Sequence, residues 1–124
     1  MRLRVGQRLR RNNDFRAVRE QGRRLDCGAF LLTWRVRPVG TPTAPARVGV
    51  VASRAAVGNA VHRNRAKRRL RELYRHHQNL VPPGLDLVLT ARAALLRLDF
   101  SEVEQRFTNA CRTLASSTAP LNHA

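Results

Sequence analysis

The amino-acid sequence predicts one α/β (α+β) domain built as a two-layer sandwich, with its elements in the order α-β-β-α-β-α. Two observations predict this class. Apolar residues recur at the helical period in three segments, and they alternate or run continuously in three shorter ones. Glycine and proline turns separate these segments. A length of 124 residues suits one domain, so we expect residues 1–124 to fold together, with a frayed tail over about 116–124.

The first half of the chain is predicted to form one short helix and two strands. Residues 12–14 (Asn-Asn-Asp) offer capping side chains for a helix over about 13–21, which a glycine ends. A strand follows over 29–36, and its alternate apolar residues share one face. These residues are Phe30, Leu32, Trp34 and Val36. The proline-rich stretch 38–45 is predicted as a loop, and residues 48–53 as a second, largely buried strand.

The second half is predicted to hold two helices around a third strand. Gly58 and Asn59 introduce a helix that runs to about His77, and a Pro-Pro-Gly turn precedes the strand 85–91. The last helix opens with a capping box, in which Ser101 caps an amide and Glu104 reaches back. It then carries one apolar stripe made of Val103, Phe107, Ala110, Cys111 and Leu114.

The charge of the chain is large and confined to one part of it. The formal net charge is +16. Residues 1–75 hold 20 Lys/Arg and 4 Asp/Glu, whereas residues 76–124 hold 4 of each. Arginine supplies 23 of the 24 cations, and its planar fork suits phosphate, although coding bias explains the preference equally well. Coding bias does not explain the segregation of charge, which indicates a polyanionic partner.

The predicted helix near residues 61–75 concentrates this charge. Its cations are Arg63, Arg65, Lys67, Arg68, Arg69, Arg71 and Arg75. An apolar arc of about 100° is left over, which is wide enough to dock on a sheet. Its members are Ala66, Leu70, Leu73 and Tyr74. Four cations repeat at i+4 in one ridge, and such like-charge pairs destabilise a helix by roughly 0.2–0.5 kcal/mol each unless anions bind there. The ridge consists of Arg63, Lys67, Arg71 and Arg75.

Nucleic acid suits this face best, and three other interpretations remain open. A solvated charged surface normally mixes signs, whereas Glu72 is the single anion in the segment. A helix that lies on an anionic membrane normally carries Trp and Phe in its apolar arc. A helix that reads DNA needs a helix-turn-helix partner or a zipper, and neither is recognisable here.

No residue pattern predicts catalysis or a metal site in the protein itself. The carboxylates of the basic part are widely scattered, whereas metal-assisted hydrolysis needs them clustered. They are Asp14, Glu20, Asp26 and Glu72. His62 and His76 lie about four turns apart on the predicted helix, too far to flank one phosphate. Cys27 and Cys111 lack the spacing of zinc ligands and are predicted as small buried residues.

Targeting signals are not recognisable in the sequence. The start, MRLRVGQRLRRNNDF, lacks the apolar stretch of a signal peptide. No run approaches the ~18 apolar residues of a membrane span. We therefore expect a cytoplasmic protein with no membrane partner.

Four segments together resemble the bacterial ribonuclease P protein component. The most specific is VGNAVHRNRAKRRLRE (57–72), which resembles the family signature of Arg-Asn-Arg followed by Lys-Arg on one helix. The other three are NNDFRAVREQG (12–22), RVGVVASR (47–54) and LDLVLTARAA (85–94). The resemblance implies a left-handed β-α-β crossover, as in folds like the second domain of ribosomal protein S5, although roughly 98% of such crossovers are right-handed.

The same resemblance implies a function. The chain would be the protein subunit of ribonuclease P, the endonuclease that removes the 5′ leader of precursor tRNA. In that family the RNA subunit is the catalyst, and the RNA subunit and substrate hold the Mg²⁺ ions. The expected partners are therefore the catalytic RNA and precursor tRNA, and no catalytic or metal-binding residue is expected in the protein.

Two sets of binding residues are implied. The catalytic RNA would contact Arg54, Asn59, Arg63, Asn64, Arg65, Lys67, Arg68, Arg69, Arg71 and Arg75. The single-stranded leader would lie in a cleft between the first helix and the sheet, which would be bordered by Arg11, Asn13, Phe15, Arg19, Phe30, Thr33, Trp34, Val50 and Ala52. Aromatic faces would stack on unpaired bases at ~1–3 kcal/mol each. Arg19 and Thr33 stand where many relatives carry aromatic residues, so this cleft would depend more on charge. Core packing is the other interpretation of Phe15 and Phe30.

Two alternative functions remain open at this point. A ribosomal or other structural RNA-binding protein without an associated enzyme would show the same basic face. A sequence-specific DNA regulator would prefer duplex DNA to structured RNA.

We predict that anions stabilise the fold. Self-repulsion at +16 lowers the stability of the compact state, and a phosphate ligand that binds only the native state adds RT ln(1 + [L]/Kd). Thermal melts at fixed ionic strength should give a higher midpoint in phosphate or sulfate than in chloride. Identical midpoints would show that anions do not bind the native state preferentially.

Overall fold

The computed structural model describes residues 8–9, 11–37 and 45–118. Most of the predicted loop 38–45 and the end of the predicted tail, 119–124, lie outside these residues. The helices are α1 (Asn12–Gln21), α2 (Arg54–Val57), α3 (Ala60–His77) and α4 (Phe100–Thr118). The strands are β1 (Arg23–Asp26), β2 (Phe30–Val36), β3 (Arg47–Val51) and β4 (Leu85–Ala91). Two 3₁₀ turns, Gln78–Leu80 and Ala93–Leu96, flank β4.

The four strands form one mixed sheet in the order β1-β2-β4-β3. Strand β2 pairs antiparallel with both β1 and β4, whereas β3 and β4 are parallel. Helices α2 and α3 therefore form a crossover between parallel neighbours, which confirms the α/β class. The left-handed sense of this crossover stays a prediction from the resemblance.

The two faces of the sheet are covered by different helices. Helices α3 and α4 pack on one face and form the larger apolar cluster, which contains Phe30, Leu73, Leu87, Phe107 and Leu114. Helix α1 lies on the other face, which we call the α1 face. A smaller cluster of Leu9, Val18 and Val88 fills that side, with Phe15 and Val51 packed against it. The two-layer core predicted from the apolar stripes thus carries an additional helix on its second face.

The apolar stripes of α3 and α4 are confirmed. All four members of the predicted arc of α3 are buried, and so are all five of the predicted stripe of α4. On β2, Phe30, Leu32 and Trp34 are buried on the face of α3 and α4, whereas Val36, at the end of the strand, is 61% exposed.

Several local predictions were wrong. Strand β1 was missed, because its sequence RRLD is short, charged and mostly exposed. Helix α1 begins after Arg11 without a side-chain cap, so residues 12–14 do not cap it. Helix α4 already begins at Phe100, so Ser101 lies inside the first turn and cannot form the predicted capping box. The amides of Glu102 and Val103 donate instead to the carbonyl of Asp99.

Two element ends also differ from the prediction. The second predicted strand, 48–53, ends at Val51, because Ser53 caps the short helix α2 and accepts a hydrogen bond from the amide of Ala56 at 3.1 Å. The predicted tail is wrong for residues 116–118, which continue α4.

A buried carboxylate on the α1 face ties three strands together. Asp86 of β4 is fully buried, and it stands in register with Arg35 of β2 and Arg47 of β3. The guanidinium of Arg47 donates two hydrogen bonds of 2.9 Å to the Asp86 carboxylate. Arg37 adds a third of 3.1 Å, and Arg35 lies at 3.7 Å. The hydrogen bonds with Asp86 raise the pKa of Arg47 above its ordinary value.

Helix α1 is joined to the same cluster at both of its ends. Arg47 lies 3.8 Å from Asp14 in the first turn of α1. Arg35 donates to the side chain of Gln21 in the last turn, at 2.9 Å. The arginines around Asp86 therefore fix the helix across the strands.

We predict that Asp86→Ala destabilises the protein strongly. Removal of a buried carboxylate leaves its arginines uncompensated, which costs about 3–5 kcal/mol for buried ion pairs. Glu102→Ala is the matched control, because it removes an exposed carboxylate that pairs with Arg106 at 3.1 Å on the surface of α4. Such a pair contributes about 0.3–0.5 kcal/mol. Urea unfolding of both variants measures the difference, and equal costs would contradict the role assigned to Asp86.

Candidate nucleic-acid interface

The start of α3 is defined by the two residues that the sequence singled out. Gly58 adopts a φ of 103°, a conformation that L side chains rarely adopt, and it separates α2 from α3. Asn59 then caps α3, because its side-chain oxygen accepts a hydrogen bond from the amide of His62 at 3.1 Å. The predicted place of Asn59 at the entry to the helix is confirmed, and its exposed side chain is occupied in capping.

The outward face of α3 presents cations to solvent. Ala66, Leu70, Leu73 and Tyr74 face the sheet, so the residues on the opposite side are exposed. The predicted RNA-binding residues that are exposed on α3 are Asn64, Arg65, Arg68 and Arg71. Arg54, at the start of α2, is exposed as well.

Two other cations of the signature are only half exposed. Lys67 lies at the side of the helix, between the buried and exposed faces. Arg63 is seven residues before the buried Leu70 and so shares its face of the helix. Its Nε atom is buried without a hydrogen-bond partner among the described residues. Of the predicted i+4 ridge, Arg63, Lys67 and Arg75 are therefore half exposed, and only Arg71 is exposed.

Two predicted RNA-binding arginines are engaged by the protein. Arg69 donates to the carbonyl oxygens of Leu95 and Leu98, and its guanidinium lies 5.7 Å from the ring centre of Phe100. Arg75 donates two hydrogen bonds to Glu72, at 2.9 and 3.0 Å, and these lower the pKa of the Glu72 carboxyl. Arg69 thus attaches α3 to the segment before α4, and the charge of Arg75 is paired with Glu72 within the helix.

On the α1 face, Phe15 lies over Gly49 of β3. Its half-buried ring contacts Gly49 of β3 so closely that a Cβ there would collide with it. Gly49 is in register with Val88, and Val88 with Thr33, which is buried on the same face. Arg11 and Arg19 stand four residues before and after Phe15, and both are exposed, as is Asn13.

The structure places four predicted cleft residues on the opposite face. Side chains alternate along a strand, so Phe30 and Trp34 face away from Thr33. Phe30 is fully buried, and its ring centre lies 6.2 Å from that of Phe107. Trp34, Val50 and Ala52 belong to or pack against the same cluster under α3 and α4. The prediction that Phe30, Trp34 and Ala52 border the cleft on the α1 side was wrong, and core packing is the correct interpretation of Phe30. Val50 packs against the same cluster and also lines a cavity that Phe15 lines.

A cavity joins the two predicted surfaces at the outer edge of β3. Its volume is about 210 Å³. It is lined by Arg8, Leu9, Phe15, Val48, Gly49, Val50 and Arg71. Arg71 of α3 and Phe15 of α1 therefore line the same cavity. The family resemblance had assigned Arg71 to the catalytic RNA and Phe15 to the leader of precursor tRNA. Sequence reasoning missed Arg8, because nothing in the sequence distinguishes it from the other arginines before α1 or reveals that it approaches α3.

The histidines at the end of α3 form structural contacts, and both cysteines are at least partly buried. His77 lies 3.0 Å from a carboxylate oxygen of Glu104, and His76 lies 3.6 Å from the same oxygen. Burial raises the pKa of Cys27 to about 11 and that of Cys111 to about 12, so both thiols are protonated at neutral pH. Within the described ranges, no group of three or more His, Cys, Asp or Glu side chains is arranged to hold a metal ion. In the same ranges, no helix has the length and apolar character needed to cross a membrane.

Comparison with known proteins gives a consistent result. A model of the ribonuclease P family matches residues 3–115. The ribonuclease P protein component of Desulfovibrio desulfuricans is 40% identical over 110 residues, which cover 87% of this chain and 82% of that protein. The component of Thermobifida fusca is 36% identical over 121 residues, which cover 94% and 81%.

Solved structures agree with the sequence relatives. The RNase P protein of Thermotoga maritima matches with a TM-score of 0.72 and 29% identity, over 86% of this chain and 96% of that one. A Staphylococcus aureus RNase P protein matches with a TM-score of 0.71 and 21% identity, over 86% and 94%, which supports the fold. The match of the family model along nearly the whole chain shows that this protein belongs to the ribonuclease P protein family.

Proposed function

We propose that this chain is the protein subunit of ribonuclease P, which binds the catalytic RNA and the 5′ leader of precursor tRNA and assists removal of the leader. The observation that carries the proposal is the outward face of α3, where the signature residues Asn64, Arg65 and Arg68 are exposed together in a chain of this family. We expect the complex to act in the cytoplasm.

The electrostatics of α3 support binding to an RNA backbone. Glu72 is the single acidic residue on the helix, and it is occupied by Arg75. Arg65 and Arg68 have no ion-pair or hydrogen-bond partner within the described part of the chain, so their guanidinium groups are available to phosphates. Each phosphate that a cation neutralises releases counterions, which makes such binding strong at low salt.

The α1 face supports a second contact with unpaired RNA. The half-buried ring of Phe15 offers part of one aromatic surface. It is flanked by the exposed Arg11, just before α1, and by the exposed Arg19 on α1. Stacking requires bases that are free of a duplex, and the leader of precursor tRNA supplies these. With Phe30 and Trp34 in the core, this surface depends on one aromatic residue and on charge.

We assign the Mg²⁺ ions and the chemical step to the RNA subunit and its substrate. The surface of the protein that would face RNA is dominated by arginine, which repels cations rather than coordinating them. Phosphate oxygens of RNA are the hard ligands that Mg²⁺ prefers. The role of the protein is then to bind the catalytic RNA, to position the leader, and to neutralise charge between the two RNA molecules.

A structural RNA-binding protein without an enzyme is the alternative function. Identification of the RNA that copurifies with the protein from its own cells separates the two. Recovery of a ribonuclease P RNA supports the proposal, and recovery of ribosomal RNA alone would overturn it.

We predict that Arg65→Ala with Arg68→Ala weakens binding to ribonuclease P RNA and reduces its salt dependence. Each lost phosphate contact should lower the slope of log K against log salt by about 0.9. The control removes two exposed arginines elsewhere, with Arg97→Ala and Arg112→Ala. Filter binding over a range of salt concentrations measures both pairs. Equal slopes for the two pairs would show that α3 does not contact the backbone.

We predict that Phe15→Ala narrows the difference in affinity between precursor and mature tRNA. The loss of one stacked base should cost about 1 kcal/mol or more, and only for the precursor, because mature tRNA has no leader. The difference in affinity is measured from the dissociation constants of the reconstituted holoenzyme for precursor and mature tRNA.

The control for Phe15 is Val18→Ala on the same helix. Val18 is fully buried in the same cluster, so this variant loses fold stability without touching the proposed RNA surface. It should keep the full preference for precursor tRNA. A folded Phe15→Ala protein that also keeps this preference would remove Phe15 from the binding site.

A further inference from the structure

We propose that the cavity at the outer edge of β3 binds one phosphate of an RNA backbone, held jointly by Arg8 and Arg71. The inference rests on the proposed RNA-binding function and gives it a specific site. It assigns a binding role to Arg8 and places Arg71 with Phe15 rather than with the exposed arginines in the middle of α3.

The two arginines are 63 positions apart in the sequence and are held in place independently. The backbone at Arg8 forms a bridge with Val48, and the amide of Leu9 donates to the carbonyl of Val48 at 2.9 Å. Leu9 is buried, which anchors this short segment on the edge of β3. Arg71 belongs to α3, whose position is fixed by its buried apolar arc. The approach of the two side chains is therefore a property of the fold.

Their charges lack an internal partner. Within residues 8–9, 11–37 and 45–118, neither guanidinium forms an ion pair or a hydrogen bond. Partial burial lowers the pKa of Arg71, and the nearby charge of Arg8 lowers it further. Some other arginines do have a carboxylate partner, as Arg47 has Asp86 and Arg75 has Glu72. Two neighbouring cations without a carboxylate are stabilised by an anion between them.

The size and walls of the cavity favour a phosphate. Its volume of about 210 Å³ is smaller than the roughly 300–1,000 Å³ of pockets that hold whole small molecules. Leu9, Val48 and the ring of Phe15 form an apolar wall, which lowers the local dielectric constant and strengthens the attraction between an anion and the two cations. Arginine also binds phosphate oxygens in a bidentate manner.

The location of the cavity favours a phosphate of RNA. Phe15, which lines it, belongs to the surface proposed for the leader, and Arg71 lies one helical turn after Arg68 on the surface proposed for the catalytic RNA. The phosphate can therefore come from either RNA, and the experiment has one arm for each source.

The test is a double-mutant cycle on the reconstituted holoenzyme. The variants are Arg8→Gln, Arg71→Gln and the double variant, with Arg112→Gln on α4 as a control for the loss of one exposed charge. One arm measures the dissociation constants for precursor and mature tRNA. The other arm measures binding of the protein to ribonuclease P RNA. Thermal melts of each variant confirm that it is folded, which we expect because both arginines are exposed.

Each single variant should weaken binding in one arm by about tenfold or more, the scale of a lost hydrogen bond to a charged group. The double variant should be hardly weaker than either single one, because both residues bind the same phosphate. A loss confined to precursor tRNA identifies a leader phosphate, and a loss in binding to ribonuclease P RNA identifies the catalytic RNA.

A scan with single uncharged methylphosphonates locates the contact in whichever RNA shows the effect. A methylphosphonate at one position should weaken RNA binding by the wild type and leave RNA binding by the double variant unchanged.

Two results would overturn the proposal: variants that match Arg112→Gln in both arms, or single effects that multiply in the double variant. In either case, if the wild-type protein binds both RNAs, the proposed function is still supported and only the phosphate site is rejected. If the wild-type protein binds neither RNA, both the phosphate site and the proposed function are rejected.

Discussion

The docking of α3 on the sheet is the interaction on which the proposed RNA-binding surface depends. Leu70, Leu73 and Tyr74 are essentially fully buried, and burial of such side chains stabilises by about 1.5–3 kcal/mol each. Repulsion between cations at i+4 costs roughly 0.2–0.5 kcal/mol per pair. Packing therefore outweighs repulsion severalfold, and the helix can hold its arginines on the outside before any RNA binds.

The number of arginines overstates the number that can bind RNA. Arg35, Arg37 and Arg47 surround the buried Asp86, and Arg69 and Arg75 are bound within the protein. These five stabilise the sheet and the helices. We therefore expect the salt dependence of RNA binding to reflect the exposed residues of α2, α3 and α1 rather than the net charge of +16.

Apolar periodicity predicted the buried sides of the helices, whereas the helix caps of α1 and α4 and the contacts between elements were not predicted correctly. The period of Ala66, Leu70, Leu73 and Tyr74 was enough to identify the buried side of α3. Alternation along β2 correctly grouped Phe30 with Trp34, yet it could not say which face α1 would cover. That choice depends on α1 contacts such as the approach of Phe15 to Gly49, and these are not visible in a pattern. The exposed strand β1 gave no apolar signal. Arg8 and Arg71 line one cavity although they are 63 positions apart in the sequence, and no local pattern reveals such a contact.

The central claim is that this protein assists a catalytic RNA, and cleavage at limiting Mg²⁺ tests it most directly. Precursor tRNA is incubated with a bacterial ribonuclease P RNA over a range of Mg²⁺ concentrations, with and without the protein. The account predicts that the protein lowers the Mg²⁺ concentration needed for half-maximal cleavage, because its exposed arginines take over part of the charge neutralisation between the two RNAs. An unchanged Mg²⁺ requirement, with the protein shown to be bound to the RNA, would contradict it.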